Sequence, residues 1–181
     1  MASVALAAAS WANRDGPPPA HTGGFGEPTC RECHVDAELN EPGGSVTIAG
    51  APEVYSPGKT YDLVVSVERA GLSRAGFQLA ARFADGRAAG TQAGVLAPNG
   101  PAGRSAVTWD SLRRVSYLQH TDQGTRLDSG AAGRRWSFRW TAPERTQGVV
   151  VIHVAGNAAN DDNSPFGDFI YTTVVRIPVS P

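Results

Sequence analysis

The most regular stretch of the chain is Arg135-Trp136-Ser137-Phe138-Arg139-Trp140-Thr141, in which three aromatics alternate with polar residues. Successive side chains of an extended strand point to opposite faces, so this period of two predicts a strand with one buried and one wet face. The same alternation runs through Tyr61-Asp62-Leu63-Val64-Val65-Ser66-Val67-Glu68 and through Phe77-Gln78-Leu79-Ala80-Ala81-Arg82-Phe83, the latter leading to the turn Asp85-Gly86. Further strands are predicted at 45–49, 90–96, 105–109, 112–119, 147–155 and 168–179. Eight or nine short strands, with turn signals at intervals of about ten residues, predict an all-β fold: an antiparallel β-sandwich of immunoglobulin-like shape over 45–181.

Composition narrows this picture. A chain of 181 residues, 41% hydrophobic, has room for one domain with a short appendage. Its 21 glycines and 13 prolines suit many turns and disfavour long helices. With 16 Lys and Arg against 17 Asp and Glu, the net charge of −1 offers no basic footprint for nucleic acid and no polybasic signal for an anionic membrane. No apolar window of about 18 residues is present, so no direct membrane span by a helix is expected.

Residues 2–12 form an apolar run ending in Ser10-Trp11-Ala12, which has the small-x-small form of a cleavage site. No Lys or Arg precedes Arg14, so the basic n-region is missing; the segment 1–12 reads as a signal peptide with a truncated start, against some other kind of segment, and the protein as exported to the periplasm or beyond, its mature chain beginning near Asn13 if the leader is cleaved. No anchor is expected in the terminal VVRIPVSP.

Both cysteines lie in Cys30-Arg31-Glu32-Cys33-His34, inside a Gly/Pro-rich segment, 13–44. This is the C-x-x-C-H spacing of covalent c-type haem attachment. Two thiols on one turn add to the two vinyl groups of a haem edge, and the adjacent imidazole becomes the proximal iron ligand. Cys30, Cys33 and His34 are accordingly the candidate cofactor-binding residues for a single haem c. Three other readings stand beside it: a redox-active disulfide, a zinc site completed by a distant fourth ligand, and chance. The flanking Gly23, Gly24, Gly26, Pro28 and Pro42-Gly43-Gly44 put the pair on a loop rather than at a strand-to-helix entry.

Met1 is the only methionine, so a His/Met pair is not expected, and the remaining histidines are His21, His120 and His153. His120, at a strand exit into a polar turn, is the first choice for the distal metal ligand, against a solvent-exposed turn histidine. His153, in the apolar run Val149–Val154, reads as a satisfied core histidine. His21 would need a tight chain reversal to reach the opposite face. The ten or so residues between the motif and Ser45 are too few for a helical haem domain, so the cofactor must pack on the sandwich or on a partner protein. Phe25, Leu39, Trp109 and Tyr117 are the candidates for covering it.

The loop Gly156–Ser164, closing at Gly167-Asp168, is rich in Asn and Asp. A hydrophilic turn is favoured there over a calcium site, because the spacing is not that of an EF-hand. Nucleophile elbow, P-loop and HExxH patterns are all missing, so an enzyme is not expected.

Several blocks in fixed order carry a resemblance: Gly23-x-x-Gly26-x-Pro28-x-Cys30-x-x-Cys33-His34, Ala75–Leu79, Tyr117–Thr121, Trp136–Pro143, Ala155–Asn160 and Gly167-Asp168-x-Ile170-Tyr171-Thr172. Over about residues 21–179 the chain resembles the bacterial reeler-related proteins known as choice-of-anchor V domains. The resemblance implies an exported reeler-like sandwich with a haem motif at its N-terminal edge, and it includes His120 in a recurring His-Thr block. It implies no function. Two classes are expected: a c-type electron-transfer protein or redox subunit that meets a redox-partner protein or membrane electron-transfer complex, or a reeler-like binding or structural module within a larger membrane assembly.

Overall fold

The computed structural model describes residues 13–129 and 131–180, and the expected leader at 1–12 lies outside the described residues. Nine strands carry the fold among them: β1 (Gly44–Ala49), β2 (Thr60–Arg69), β3 (Arg74–Phe83), β4 (Val95–Pro98), β5 (Ser105–Asp110), β6 (Val115–His120), β7 (Gly133–Thr141), β8 (Val150–Ala159) and β9 (Phe169–Ile177). One helical turn, α1 (Asp122–Thr125), follows β6. The strands pair antiparallel in two sheets, ordered β1-β2-β7-β4 and β5-β6-β3-β8-β9.

Two strand expectations shift, each for a local reason. The stretch predicted at 90–96 is interrupted by Gly90 and Gly94, whose φ of 79° and 83° leaves extended backbone, so Gln92 makes only an isolated bridge to Arg82 and the continuous strand begins at Val95. The strand expected from 112 starts at Val115, because the Asp110 carboxylate accepts the Leu112 and Arg113 amides (2.8 and 3.1 Å) and makes a hairpin turn of Leu112–Arg114.

Alternation decides what meets between the sheets. Trp136, Phe138 and Trp140 of β7 point inward, while Arg135 and Arg139 face solvent. They pack on Leu63, Val65 and Val67 of β2 and on Phe77, Leu79, Ala81 and Phe83 of β3. The Trp136 and Phe77 rings lie 4.7 Å apart, and the Trp140 indole N–H donates to the Ala93 carbonyl at 2.9 Å. Each large apolar side chain taken wholly out of water contributes about 1.5–3 kcal/mol.

β3 breaks the one-face rule: Ala75–Phe83 are buried on both faces. The reason is the Gly/Pro-rich segment, which lies across the outer face of the five-stranded sheet. Ala20 joins Ala80, Val115 and Tyr117 in a second apolar cluster there. The polar outward groups of β3 are met one by one. Gln78 accepts the His21 amide at 2.7 Å and donates to the Pro18 carbonyl at 3.0 Å. Arg82 is ion-paired with buried Glu27, which also accepts the hydroxyls of Thr22 (2.6 Å) and Tyr117 (2.5 Å).

His153 departs from the expected core position. Ile152 and Val154 take the inward positions of β8, so His153 faces the overlying segment, edge-on to Phe25 at a centroid distance of 5.3 Å. Its Nδ1 is buried and unpartnered among the described residues, and burial lowers the ring's pKa.

Candidate functional site

Where β3 begins and β6 and β8 end, the overlying segment leaves a cleft with about 820 Å³ of empty space, partly open to solvent. Its walls include Cys30, Cys33, His34 and His120, together with Pro17, Pro18, Ala75, Gly76 and Ala159 as small apolar surface.

The cysteine motif enters as a 3-10 turn, Cys30–Glu32. Thr29 caps it, its hydroxyl accepting the Arg31 amide at 3.2 Å. The Cys33 and His34 amides both donate to the Cys30 carbonyl, at 3.2 and 3.0 Å. Three residues per turn eclipse positions i and i+3, which puts the two cysteines on one side of the turn. Both are free thiols, and burial pushes Cys30 up to about 12. A redox-active C-x-x-C needs the opposite, a thiol pKa brought down toward neutrality. His21 holds this turn rather than reaching across the cleft: its Nε2 is 2.6 Å from Glu32 Oε2, and its Nδ1 is 2.9 Å from the Pro18 carbonyl.

His34 is brought against the end of the five-stranded sheet. Its Nδ1 lies 2.6 Å from Asp168 Oδ2, and both side chains are nearly out of solvent, 12% and 3% exposed. The Asn157 amide lies over the same pair, 3.3 Å from His34 Nε2 and 3.3 Å from Asp168 Oδ2. The Asn157 Oδ1 atom is buried in the cleft wall with no partner among the described residues.

His120 is buried rather than exposed in a turn. β3 and β6 pair only at Gln78↔Gln119 and Leu79↔Leu118, and the imidazole continues the ladder in place of backbone. Its Nδ1 lies 2.9 Å from the Phe77 amide and 3.1 Å from the Phe77 carbonyl, and its Nε2 lies 3.2 Å from the Asn13 carbonyl. The ring fits because position 76 is glycine; a Cβ there would lie 2.6 Å from His120 Cε1. Desolvation lowers the His120 pKa against the opposing pull of the Phe77 and Asn13 backbone, and charge on nearby His34 would lower it further. The Nε2 facing a carbonyl carries the ring proton and the Nδ1 lone pair is taken by the Phe77 amide, so binding a metal would require one of these backbone contacts to give way.

The rim is polar. Arg74 donates to Asp161 (2.6 Å) and Thr125 (2.7 Å), and Arg14 contacts Asp161 and Asn163. Part of the Asn/Asp loop bonds within itself: Asp162 accepts the Ser164 amide at 2.8 Å, Asn160 accepts the Asp162 amide at 3.1 Å, and Asp161 and Asn163 sit at φ 63°. That is the hydrophilic turn expected from its composition. Among the described residues no group of three His, Cys, Asp or Glu side chains is arranged to hold a bare metal ion.

The expected covering residues lie elsewhere. Phe25 meets His153 edge-on, Tyr117 bonds Glu27 beneath the segment, Leu39 lines a separate pocket beside His153, and Trp109 is 55% exposed on the edge strand β5. Those expectations used proximity in sequence, whereas the walls come from distant strands. Asp168, Asn157, Gly76, Arg14 and Arg74 were not singled out as site residues. A usable signal did exist: five of the six blocks that carry the family resemblance contribute to this cleft, and only Trp136–Pro143 serves the core instead.

The chain matches no protein-family model and no curated protein by sequence. Among solved structures it is similar to the human F-spondin reeler domain, with a TM-score of 0.51 at 19% identity over 80% of this chain and 95% of that one. It is also similar to the Reelin-N domain of F-spondin, with a TM-score of 0.52 at 18% identity over 83% of this chain and 97% of that one. Likeness at such identities concerns the fold, and it agrees with the pairing of the nine strands into two antiparallel sheets: the chain is an all-β, reeler-like sandwich.

Proposed function

We propose that this protein is an exported, reeler-like module of the choice-of-anchor V kind that carries one covalent c-type haem in the cleft and acts as an electron-transfer protein or redox subunit. The observation that carries this reading is the convergence of Cys30, Cys33, His34 and His120, from the overlying segment and from β6, on one cleft. The donor set fits the group. Two free thiols on one side of a turn are what vinyl addition requires, and the buried His120 imidazole lines the same space. The small apolar wall of Pro17, Pro18, Ala75, Gly76 and Ala159 suits a flat ring.

When bound, the haem supplies one-electron exchange between ferric and ferrous iron. Cys30 and Cys33 would fix it to the segment 13–44, and His34 and His120 would supply the imidazoles that hold its iron. Two imidazoles donate more strongly than an imidazole and a thioether, so the potential lies below that of His/Met carriers. The partner is a redox protein or membrane electron-transfer complex, and catalysis of its own is not part of this reading. The fold likeness taken alone favours the other class, a reeler-like binding or structural module.

The test is a pyridine haemochrome spectrum of protein exported from cells with a working c-type maturation system. One covalent haem per chain, lost in Cys30→Ser/Cys33→Ser, is expected; a colourless wild-type protein refutes the reading. His120→Ala should convert a low-spin, six-coordinate spectrum to an open-site one, and an unchanged Soret band removes His120 from the distal position. Slow electron exchange with soluble donors, together with a stable complex on pull-down, would favour the binding module.

A further inference from the structure

The His34–Asp168 contact goes beyond attachment, and its role at the iron rests on the haem reading of the cleft. Asp168 is 2% exposed and sits just ahead of β9, held by the Asn160 amide on Oδ1 (3.1 Å) and by the Asn157 side-chain amide on Oδ2 (3.3 Å). The same Oδ2 lies 2.6 Å from His34 Nδ1. A carboxylate oxygen and a bare ring nitrogen are both acceptors and repel at that distance, so a proton sits on Nδ1 and Nε2 is left as the metal-binding nitrogen. No lysine or arginine pairs with Asp168 among the described residues, so its negative charge is expressed on the imidazole. A carboxylate behind a ligating histidine fixes its tautomer and raises its basicity.

We infer that Asp168 is the positioning residue that orients the His34 imidazole and holds the iron's reduction potential low. The extra electron density on the imidazole stabilises ferric over ferrous iron, and burial leaves little solvent to screen the carboxylate. The carrier would then take electrons only from strongly reducing donors.

Spectroelectrochemical titration of the haem-loaded full chain tests this with Asp168→Asn, whose amide oxygen can still accept the Asn160 amide. The variant is expected to show at least a tenfold higher ferrous-to-ferric ratio at a fixed electrode potential, an upward shift of about 59 mV or more for one electron. A variant with full haemochrome absorbance and the wild-type midpoint overturns the inference while leaving the haem reading intact. A second readout needs neither haem nor variant. In nitrogen-15 NMR of the haem-free wild type at alkaline pH, His34 is expected as the Nδ1–H tautomer, and finding Nε2–H overturns the inference. A wild-type chain that takes up no haem overturns the functional reading instead, and the haemochrome assay registers that separately.

Discussion

Replacing Glu27 with Ala should loosen the haem-motif segment from the sandwich, because Glu27 sits three residues before Cys30 and anchors the segment to β3. The carboxylate is buried with the Arg82 guanidinium and accepts the Thr22 and Tyr117 hydroxyls at 2.6 and 2.5 Å. Burial by itself would raise its pKa, but the bonds from Thr22, Tyr117 and Arg82 outweigh that and hold it below the ordinary carboxylate value. Removing one partner of a buried ion pair leaves the other charge stranded and costs about 3–5 kcal/mol. Arg82 is poorly placed to recover, since its Nε already has no partner among the described residues. At 1.36 kcal/mol per tenfold, a loss of about 3 kcal/mol makes the open segment roughly a hundredfold more populated. The assay is the rate at which the desolvated Cys30 thiol of the haem-free protein reacts with a disulfide reagent, alongside urea unfolding. The double variant Glu27→Met/Arg82→Met, which removes both charges, should recover much of the loss. A single-variant cost below about 1 kcal/mol, the range of exposed pairs, would refute the argument, as would a double variant no better than the single.

Gly76→Ala should displace the His120 ring, since the added Cβ would lie 2.6 Å from Cε1; overpacking of this kind costs about 1–3 kcal/mol. In the haem-loaded protein the same change should weaken the low-spin spectrum, and an unchanged Tm and Soret band would show that the ring has room to move. Stability should also fall in mild acid. Because burial lowers the His120 pKa, the unfolded chain takes up the proton first, so this contribution is whole above about pH 6.5 and declines as pH drops below it. His153 acts in the same direction. Thermal melts across this range should be flatter for His120→Gln, and parallel curves for the variant and the wild type would contradict the assignment.

The outer face of β3 shows how the motif segment and the sandwich depend on each other. Gln78 and Arg82 would be solvated on a bare sheet; under the segment they become the polar contacts that hold it in register. The turn carrying both cysteines is thereby fixed over the ends of β6 and β8, and the cleft exists because two separate parts of the chain close on it.

Local pattern alone determined the strands, the loop position of the cysteines and the all-β class. Alternation of Trp136, Phe138 and Trp140 is a property of neighbouring residues, as is the Cys30–His34 spacing, and both survive into the folded protein. The self-bonded Asn/Asp turn was legible for the same reason. Tertiary structure decided which groups share the cleft. Asp168 reaches His34 across 134 positions of chain, and Gly76 makes room for His120 across 44, through strand pairings that no local period encodes. It also moved His153 out of the core, because a segment rich in glycine and proline, which carries no periodicity of its own, buries the second face of the five-stranded sheet.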